Sequence, residues 1–188
     1  MLTLDPTLTP AEVRAAALAL DEADAQALLY DWRFWARPEQ VMPEGDWAVW
    51  LIKAGRGLGK TRSGAEAVRE IVNADPNGRI AIVAPTAADA RDVMIEGESG
   101  LMSVFPPEER PEYFPSKRRL QFRNGALGFV YSAERADRLR GPQHSAAWLD
   151  EIAVYEDIDE LWANLRLGLR LGHDPRIVAT TTPRPCIS

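Results

Sequence analysis

The chain carries the sequence Ala-Gly-Arg-Gly-Leu-Gly-Lys-Thr at residues 54–61, just after the apolar run Ala48-Val49-Trp50-Leu51-Ile52. A glycine-rich turn between a strand and a helix points several backbone N–H groups inward, and the helix N-terminus adds partial positive charge. A polyphosphate fits such a turn. The spacing therefore predicts a phosphate-binding loop made of Gly55, Arg56, Gly57, Leu58, Gly59, Lys60 and Thr61.

Two side chains of this loop suit nucleotide chemistry. Lys60 can reach the β- and γ-phosphates of ATP, and the Thr61 hydroxyl can ligate Mg²⁺. Ala54 stands where glycine is usual, but alanine adopts most turn conformations except those with positive φ, so we expect the loop to form. An ordinary glycine-rich turn is the simpler alternative; Gly-Lys-Thr at this spacing favours nucleotide binding.

A second pattern, Ala146-Ala147-Trp148-Leu149-Asp150-Glu151, is an apolar strand that ends in two adjacent carboxylates. Because side chains alternate across a strand, the two acids can take different tasks. We expect Asp150 to hold Mg²⁺ and Glu151 to polarise the attacking water. An exposed acidic turn is the alternative, but the position of the pair, about ninety residues after a phosphate loop, favours catalysis. His144 has no Cys or His partners at metal-ligand spacing, so we expect a polar loop histidine.

Hydrophobic periodicity predicts an α/β fold with a mainly parallel sheet flanked by helices. We divide the chain into a helical N-terminal lead-in at 1–45 and a core at 46–188. The lead-in opens with a Thr9–Glu12 capping box and continues, with a break near Asp21, towards Arg37. The predicted core strands lie at 47–52, 79–83, 146–149 and 176–180. The predicted helices are one that follows the phosphate loop and runs to about residue 73, and two at 87–95 and 158–167. A hairpin with strands at 120–123 and 126–131 is predicted around a two-residue Asn124-Gly125 turn.

Composition limits the function classes. The 188 residues are 46% hydrophobic, enough for a substantial core, and the net charge of −6 argues against a chain that coats nucleic acid by itself. Apolar runs are too short to span a bilayer, and no signal-peptide pattern opens the chain, so we expect no membrane partner. The single cysteine, Cys186, excludes an internal disulfide and suits a reducing cytoplasm.

Several ordered motifs together resemble one family. They are Trp35-Ala36-Arg37-Pro38-Glu39-Gln40, the loop at 55–61, Val83-Ala84-Pro85-Thr86, Leu139-Arg140-Gly141, Leu149-Asp150-Glu151 and Ala179-Thr180-Thr181-Thr182-Pro183. From Trp32 onward the chain resembles the ATPase domain of the large terminase subunit, the motor that packages DNA into tailed bacteriophages or related gene-transfer particles. The resemblance implies a P-loop NTPase of the additional-strand, catalytic-glutamate class.

The resemblance also implies residue roles. Gln40 and Arg37 lie where such motors recognise adenine, although a helix end packed on the sheet is an equal alternative. Arg56 resembles an arginine that senses the γ-phosphate in cis, against the alternative of a solvated loop charge. Thr180, Thr181 and Thr182 resemble the coupling motif that responds to hydrolysis, although threonine also simply favours strands.

Arg140 matches an arginine that enters the neighbouring subunit's site as a finger. Its alternative is a basic loop residue paired with Asp137 or Glu134. Family members continue into a linker subdomain and a nuclease domain, whereas this chain ends five residues after Pro183. We therefore expect ATP hydrolysis but no nuclease activity from it.

The family implies a set of partners and a place of action. We expect Mg²⁺ with ATP, double-stranded DNA, the portal at the procapsid vertex and the small terminase subunit. The chain would be a monomer alone and a homo-oligomeric ring when assembled, in the cytoplasm of the bacterial host and not as a stable part of the mature particle.

Two other function classes stay open. One is a RecA-like or helicase-type DNA motor, which shares the phosphate loop and the acidic pair and would show strand-separation activity. The other is a nucleotide-gated assembly module with negligible turnover, which measured hydrolysis would exclude.

Overall fold

A computed structural model of the chain describes residues 9–183; Cys186 lies outside this range. The chain divides into two compact units, residues 1–41 and 42–188. The described part of the first unit contains helices α1 (Pro10–Ala19), α2 (Glu22–Leu29) and α3 (Trp32–Trp35), followed by a 3₁₀ turn at Pro38–Gln40. The predicted capping box forms, because the Glu12 backbone N–H donates to the Thr9 hydroxyl and the Glu12 carboxylate accepts from the Thr9 N–H.

The predicted continuous helix from Asp21 to Arg37 is wrong. Asp21 caps α2, but a second break follows Tyr30, and the Asp31 side chain caps α3 by accepting from the Phe34 N–H at 3.3 Å. Neither α2 nor α3 contains a buried residue, and Trp35 is 57% exposed. The helix is interrupted because the Asp31 side chain bonds to the backbone and caps a new helix instead of continuing the old one. The apolar spacing did not mark a buried stripe here.

The second unit is built on one seven-stranded sheet. Its strands are β1 (Val49–Lys53), β2 (Arg79–Ala84), β3 (Glu112–Phe114), β4 (Arg119–Gln121), β5 (Leu127–Ser132), β6 (Ala146–Leu149) and β7 (Arg176–Thr181), and its helices are α4 (Lys60–Ala74), α5 (Ala87–Asp89), α6 (Leu101–Val104) and α7 (Ile158–Gly168). The spatial order is β1-β7-β6-β2-β5-β4-β3, with the first five strands parallel and the last two antiparallel.

This strand order confirms the predicted fold class. The strand before the phosphate loop, β1, pairs with β7, and β7 pairs with β6, which ends in the acidic pair. An additional strand thus separates the phosphate-loop strand from the acidic strand. Since parallel strands end at the same edge of a sheet, β1, β6 and β7 deliver their C-terminal residues to one place, here called the carboxyl edge.

The two faces of the sheet carry separate cores. One core lies on the side of the sheet that α4 covers, here called the α4 face, where α4 packs against Ile80, Ile82, Trp148 and Val178. The α7 face is the cluster that α7 shares with residues such as Val83, Leu149 and Ile177. On the α4 face, a Cβ added at Gly64 would lie 2.2 Å from Nε1 of Trp148, so glycine is required for this helix to approach the sheet.

Four local predictions need correction. The hairpin turn has three residues, 123–125, between a bonded Phe122–Ala126 pair, and Gly125 takes φ of +105° as in a bulged turn. The proline-rich segment 106–115, which the sequence predicts to be a loop, contains the short strand β3. The helix predicted after β2 begins as α5 and continues as a π-helical turn at Ala90–Ile95. His144 is fully buried beside Tyr131 and Phe129 and is not a polar loop residue.

Candidate nucleotide site

The phosphate loop lies between β1 and α4, as the sequence predicts. Gly57 and Gly59 have φ of +74° and +78°, the left-handed conformation that glycine adopts without steric cost. Ala54 is not among the residues with positive φ, and its N–H donates to the Thr181 carbonyl at 3.2 Å. Alanine at this position is therefore compatible with the turn.

Lys60 connects the loop to the acidic pair. Its side chain is 7% exposed, and Nζ lies 3.1 Å from the Gly55 carbonyl oxygen and 3.4 Å from Oε1 of Glu151. The lysine is the first residue of α4, so the helix direction fixes the point from which its side chain crosses the loop. This contact brings together two predicted site residues that are about ninety positions apart in the sequence.

Asp150 is held in a buried position at the end of β6. It is 5% exposed, its N–H donates to the Val83 carbonyl at 2.9 Å, and its carboxylate accepts a hydrogen bond from the Thr180 hydroxyl. Burial raises the pKa of this carboxyl, while the Thr180 hydrogen bond and the Lys60 charge act against the rise. A cation close to Asp150 would favour its ionised form.

Glu151 has a different environment. Partial burial opposes its ionisation, but hydrogen bonds from Thr182 and the charge of Lys60 outweigh burial and lower the pKa of the carboxyl. The Thr182 N–H donates to Oε2 at 2.8 Å and its hydroxyl to Oε1 at 2.7 Å. Glu151 also has φ of +54°, a conformation that non-glycine residues rarely adopt and that clusters at functional sites.

The three threonines at and just after the end of β7 all contact residues 150–153, here called the acidic segment. The Thr180 hydroxyl contacts the Asp150 carboxylate and accepts from the Glu151 N–H at 3.3 Å. The Thr181 hydroxyl accepts from the Ala153 N–H at 3.3 Å, and Thr182 binds Glu151 as described. A displacement of the acidic segment would therefore act directly on β7.

Several of these groups line a cleft of about 640 Å³ at the carboxyl edge. Gly57, Gly59 and Lys60 line a second cleft of about 430 Å³, and Thr61 and Val93 are common to both. Predicted residues in the wall of the larger cleft are Arg56, Thr61, Asp150, Glu151 and Thr182. The larger cleft also includes Pro85, Asp89, Val93 and Val154, to which the sequence assigned no role. Asp89 follows β2 at the same edge, and the Thr86–Asp89 capping box after a buried strand was the signal that could have identified it.

The donor set fits Mg²⁺. The hydroxyl of Thr61 and the carboxylate of Asp150 line the same cleft, and Mg²⁺ takes oxygen ligands, commonly one or two protein groups together with substrate phosphates. Among residues 9–183, no group of three or more His, Cys, Asp or Glu side chains is arranged to hold a metal ion.

Gln40 and Arg37 belong to the first unit, where the Gln40 side chain accepts from the Arg37 N–H at 3.1 Å. Their proposed place beside adenine stays a prediction. Arg37 also lies 3.0 Å from Glu39, an exposed pair.

Arg140 is 66% exposed and precedes Gly141, which has φ of +100°. Its Nε donates to Oδ1 of Asn164 at 2.8 Å, and Nη2 lies 3.8 Å from Glu160. Asp137, one of the partners considered from the sequence, pairs instead with Arg135 at 3.1 Å. Both side-chain partners of Arg140 lie on α7, so local sequence did not reveal them.

Comparison with known families and structures gives a consistent result. The family model described as "Terminase large subunit, T4likevirus-type, N-terminal" matches residues 51–186. A comparison with curated proteins finds no significant match.

Three solved structures illustrate the likeness of fold. The large terminase of a thermophilic bacteriophage, solved in complex with ATP-gamma-S, has a TM-score of 0.59 at 12% identity, over 83% of this chain and 36% of that chain. The ATPase domain of the Thermus phage P74-26 large terminase has a TM-score of 0.59 at 17% identity, over 81% and 69%. The HK97 bacteriophage large terminase has a TM-score of 0.56 at 19% identity, over 86% and 33%.

The chain thus spans about a third of the length of the ATP-gamma-S-bound terminase and of the HK97 terminase. No helix in the described part of the chain is long and apolar enough to cross a membrane.

Proposed function

The chain belongs to the family of T4likevirus-type large terminase subunits, and from that premise we propose that it is a motor domain that hydrolyses ATP to drive DNA into a procapsid. The observation that carries the proposal is the contact of Lys60 with both Gly55 and Glu151, which joins the phosphate loop to the acidic pair. This arrangement supports phosphate binding next to water activation, in two clefts that share Thr61.

Glu151 is the proposed base. Its lowered pKa keeps it ionised at neutral pH, so it can orient a water molecule and accept its proton. Incoming phosphates compete with Glu151 for Lys60, which stays charged; weakening of the Lys60–Glu151 contact and the negative charge of the phosphates both raise the pKa of Glu151. Nucleotide binding therefore makes the carboxylate more basic at the time when the water must be deprotonated.

Lys60, Arg56 and the loop N–H groups bind the phosphates, and Leu58 and the glycines shape the loop around them. Thr61 and Asp150 would hold Mg²⁺, which supplies positive charge that neutralises the phosphate oxygens. Gln40 and Arg37 are the proposed adenine contacts. We assign the Thr180–Thr182 segment the coupling role, because its hydroxyls and N–H groups bind the acidic segment that changes charge during hydrolysis.

The proposed partners follow from the family. They are double-stranded DNA, the portal at the procapsid vertex, the small terminase subunit and further copies of this chain in a ring. A likeness to the structure titled as the phi-29 viral genome packaging motor assembly, at a TM-score of 0.53, agrees in fold. We place the action in the cytoplasm of the bacterial host. DNA cleavage is not part of the proposal, and protein-dependent nicking of supercoiled plasmid with Mn²⁺ would contradict that exclusion.

Calorimetric titration with ATP and Mg²⁺ tests the assignment. Lys60→Ala should abolish measurable binding or turnover, because the variant lacks the cation that the loop directs at the phosphates. Lys53→Ala is the matched control, because Lys53 is the last residue of β1 and lies just before the loop. This variant should bind ATP as the parent does. Unchanged affinity and rate in Lys60→Ala would exclude this site.

A second pair of variants separates binding from hydrolysis. Glu151→Gln should bind ATP yet hydrolyse it roughly 10²- to 10⁴-fold more slowly, because an amide cannot take a proton from water. Asp150→Asn should weaken the dependence on Mg²⁺ instead. Glu156→Gln, an exposed acid nearby, is the control. Parental turnover in Glu151→Gln would place the base elsewhere.

Arg140 is proposed as a finger for the neighbouring subunit, worth roughly 10³ to 10⁵ in turnover. An inactive Arg140→Ala subunit with an intact site, mixed with an inactive Glu151→Gln subunit with an intact finger, should recover activity at concentrations where the parent assembles. If the mixture stays inactive while both variants assemble, or if Arg140→Ala turns over like the parent, Arg140 does not act in trans.

A further inference from the structure

A buried amide supports the exposed Arg140. Asn164 is 2% exposed and lies on the core side of α7, among Leu161, Leu165 and Gly168, which are buried. Its Nδ2 donates to the Ala136 carbonyl at 3.1 Å, and its Oδ1 accepts from Nε of Arg140 at 2.8 Å. A polar residue on a core-facing position lowers stability unless it is hydrogen-bonded, so this bond to a surface arginine requires explanation.

The geometry of the bond restricts the guanidinium. Arginine carries five N–H donors in one plane, and a hydrogen bond from Nε–H restricts the orientations that this plane can take. Nε is the donor engaged by Asn164, which leaves the Nη1 and Nη2 groups as the further donors of a side chain that is 66% exposed. Two parallel N–H donors of this kind match the oxygens of a phosphate.

Glu160 is one helical turn before Asn164 and lies on the same side of α7. It approaches Nη2 of Arg140 at 3.8 Å, and both side chains are substantially exposed. An exposed pair at this distance is weak and is readily exchanged for a more strongly charged anion. The two contacts therefore differ in strength. The Asn164 amide holds Nε of Arg140 by a hydrogen bond, and Glu160 makes only a weak, exposed contact with Nη2.

We propose that Asn164 is the positioning residue for Arg140, which it holds with its outer N–H groups presented to the phosphates of a nucleotide on a neighbouring copy of this chain. The inference rests on the proposed role of Arg140. It adds that the finger is pre-oriented in the isolated subunit, by a residue that touches neither nucleotide nor water. Glu160 is the resting occupant that the phosphates displace.

The isolated chain allows a direct test. In ¹⁵N-edited NMR, the Arg140 Nε–H resonance, identified by its loss in Arg140→Lys, should exchange with solvent more slowly than those of arginines with exposed side chains. The same protection should persist in Glu160→Gln. Exchange as fast as that of Arg56, the exposed arginine of the phosphate loop, would show that the bond to Asn164 does not hold the side chain and would overturn the proposal.

The functional test is a double-mutant cycle on ATP turnover at concentrations where the parent assembles. Asn164→Leu, which keeps the side-chain size but removes both hydrogen bonds, should lower kcat about 10- to 100-fold with KM unchanged. Asn164→Asp keeps an acceptor for Arg140 and should recover most of the rate. In the Arg140→Ala background, Asn164→Leu should change kcat less than about twofold, because the group it positions is gone.

The outcomes separate this inference from the proposed function. If Arg140→Ala lowers kcat but Asn164→Leu does not, the finger stands and the positioning role fails. If Asn164→Leu lowers kcat equally with and without Arg140, its effect is structural and the positioning role also fails. If Arg140→Ala turns over like the parent, both fail together. Thermal unfolding of each variant identifies loss of folding, and in that case Asn164→Asp and the exchange measurement decide.

Discussion

Each face of the central sheet buries an aromatic ring nitrogen that has no hydrogen-bond partner within residues 9–183, but the two nitrogens differ in consequence. On the α4 face it is Nε1 of Trp148, and on the α7 face it is Nδ1 of His144. The indole does not titrate, and it lies against the backbone of Gly64 in an otherwise apolar cluster. The imidazole titrates, and its other nitrogen lies 3.3 Å from the Tyr131 hydroxyl.

The difference shows how the two faces serve the carboxyl edge. The α4 face is mainly apolar, with the buried Glu66 of α4 paired to Arg62 and Arg69 as its charged exception, and the close contact at Gly64 holds the phosphate-loop helix by shape. The α7 face contains buried polar groups, namely Tyr131, His144, Tyr155 and Asn164, which hydrogen-bond to the backbone or to each other. Its stability therefore depends on hydrogen bonds and on pH, and it carries the support of Arg140.

The largest effect expected from this contrast is acid destabilisation through His144. Burial, with a smaller contribution from the charge of Arg79, lowers the pKa of His144 to about 4, from 6.5. Between these values the unfolded chain binds the proton and the folded chain does not, so this stability is complete above pH 6.5 and is lost as pH falls. The loss at pH 4 is roughly 3 kcal/mol relative to pH 7.

Chemical unfolding at pH 7 and near pH 4 measures this effect. His144→Gln should remove about that much of the pH dependence, while His173→Gln, the other histidine and an exposed one, should retain all of it. The carboxyl groups of Asp150 and Glu66, whose pKa values are raised, contribute with the opposite sign in every variant and cancel in the comparison. Equal pH dependence in the parent and His144→Gln would assign the acid sensitivity to other groups.

The next effect tests whether the α4 face is held by shape. Gly64→Ala places a methyl group 2.2 Å from Nε1 and 2.5 Å from Cε2 of Trp148, so the ring or the helix must move. Crowding of this kind costs about 1 to 3 kcal/mol, and alanine recovers up to about 1 kcal/mol of helix propensity. We expect a net loss of roughly 1 to 2 kcal/mol in the free energy of unfolding.

Urea unfolding at pH 7 gives the value for Gly64→Ala. Asn73→Ala, an exposed substitution in the last turns of the same helix, is the control and should not lower stability. A Gly64→Ala protein more stable than its parent would mean that the sheet and α4 have room to separate without cost. The claim that steric fit holds the α4 face would then be wrong.

How much of this arrangement the sequence predicts depends on the range of the interactions. The β6 strand at 146–149 and the α4 helix were predicted nearly to the residue, because their apolar patterns and flanking residues are local. The phosphate loop and the acidic pair were recognisable because few residue types satisfy their backbone geometry and chemistry. The parallel sheet followed from the alternation of strands and helices.

The remainder required contacts that no local pattern encodes. Asn164 is 24 positions from Arg140, and nothing in the α7 sequence marks its amide as a partner. His144 is buried because a loop folds it between Tyr131 and the end of α7. There the backbone N–H of His144 donates to the Gly168 carbonyl at 2.8 Å. The short strand β3 lies in a proline-rich segment, and it exists because β4 offers it a free edge.

The smallest expected effect is the loss of stability on removing a hydrogen-bonded tyrosine hydroxyl from the α7 face, compared with removing a tyrosine hydroxyl from the α4 face. Tyr155 is buried, and its hydroxyl donates to the Val83 carbonyl at 2.9 Å. Tyr155→Phe should lower the free energy of unfolding by about 0.5 to 1.5 kcal/mol, the net value of one hydrogen bond. The loss stays small because the same carbonyl also accepts from the Asp150 N–H.

Tyr113→Phe is the control: Tyr113 is half-buried and packs against the α4-face cluster, so removing its hydroxyl should change stability by less than about 0.5 kcal/mol. Thermal or urea unfolding of the two variants decides the matter. Equal losses would show that hydroxyl groups matter equally on both faces, and the polar character assigned to the α7 face would then rest on His144 and Asn164 alone.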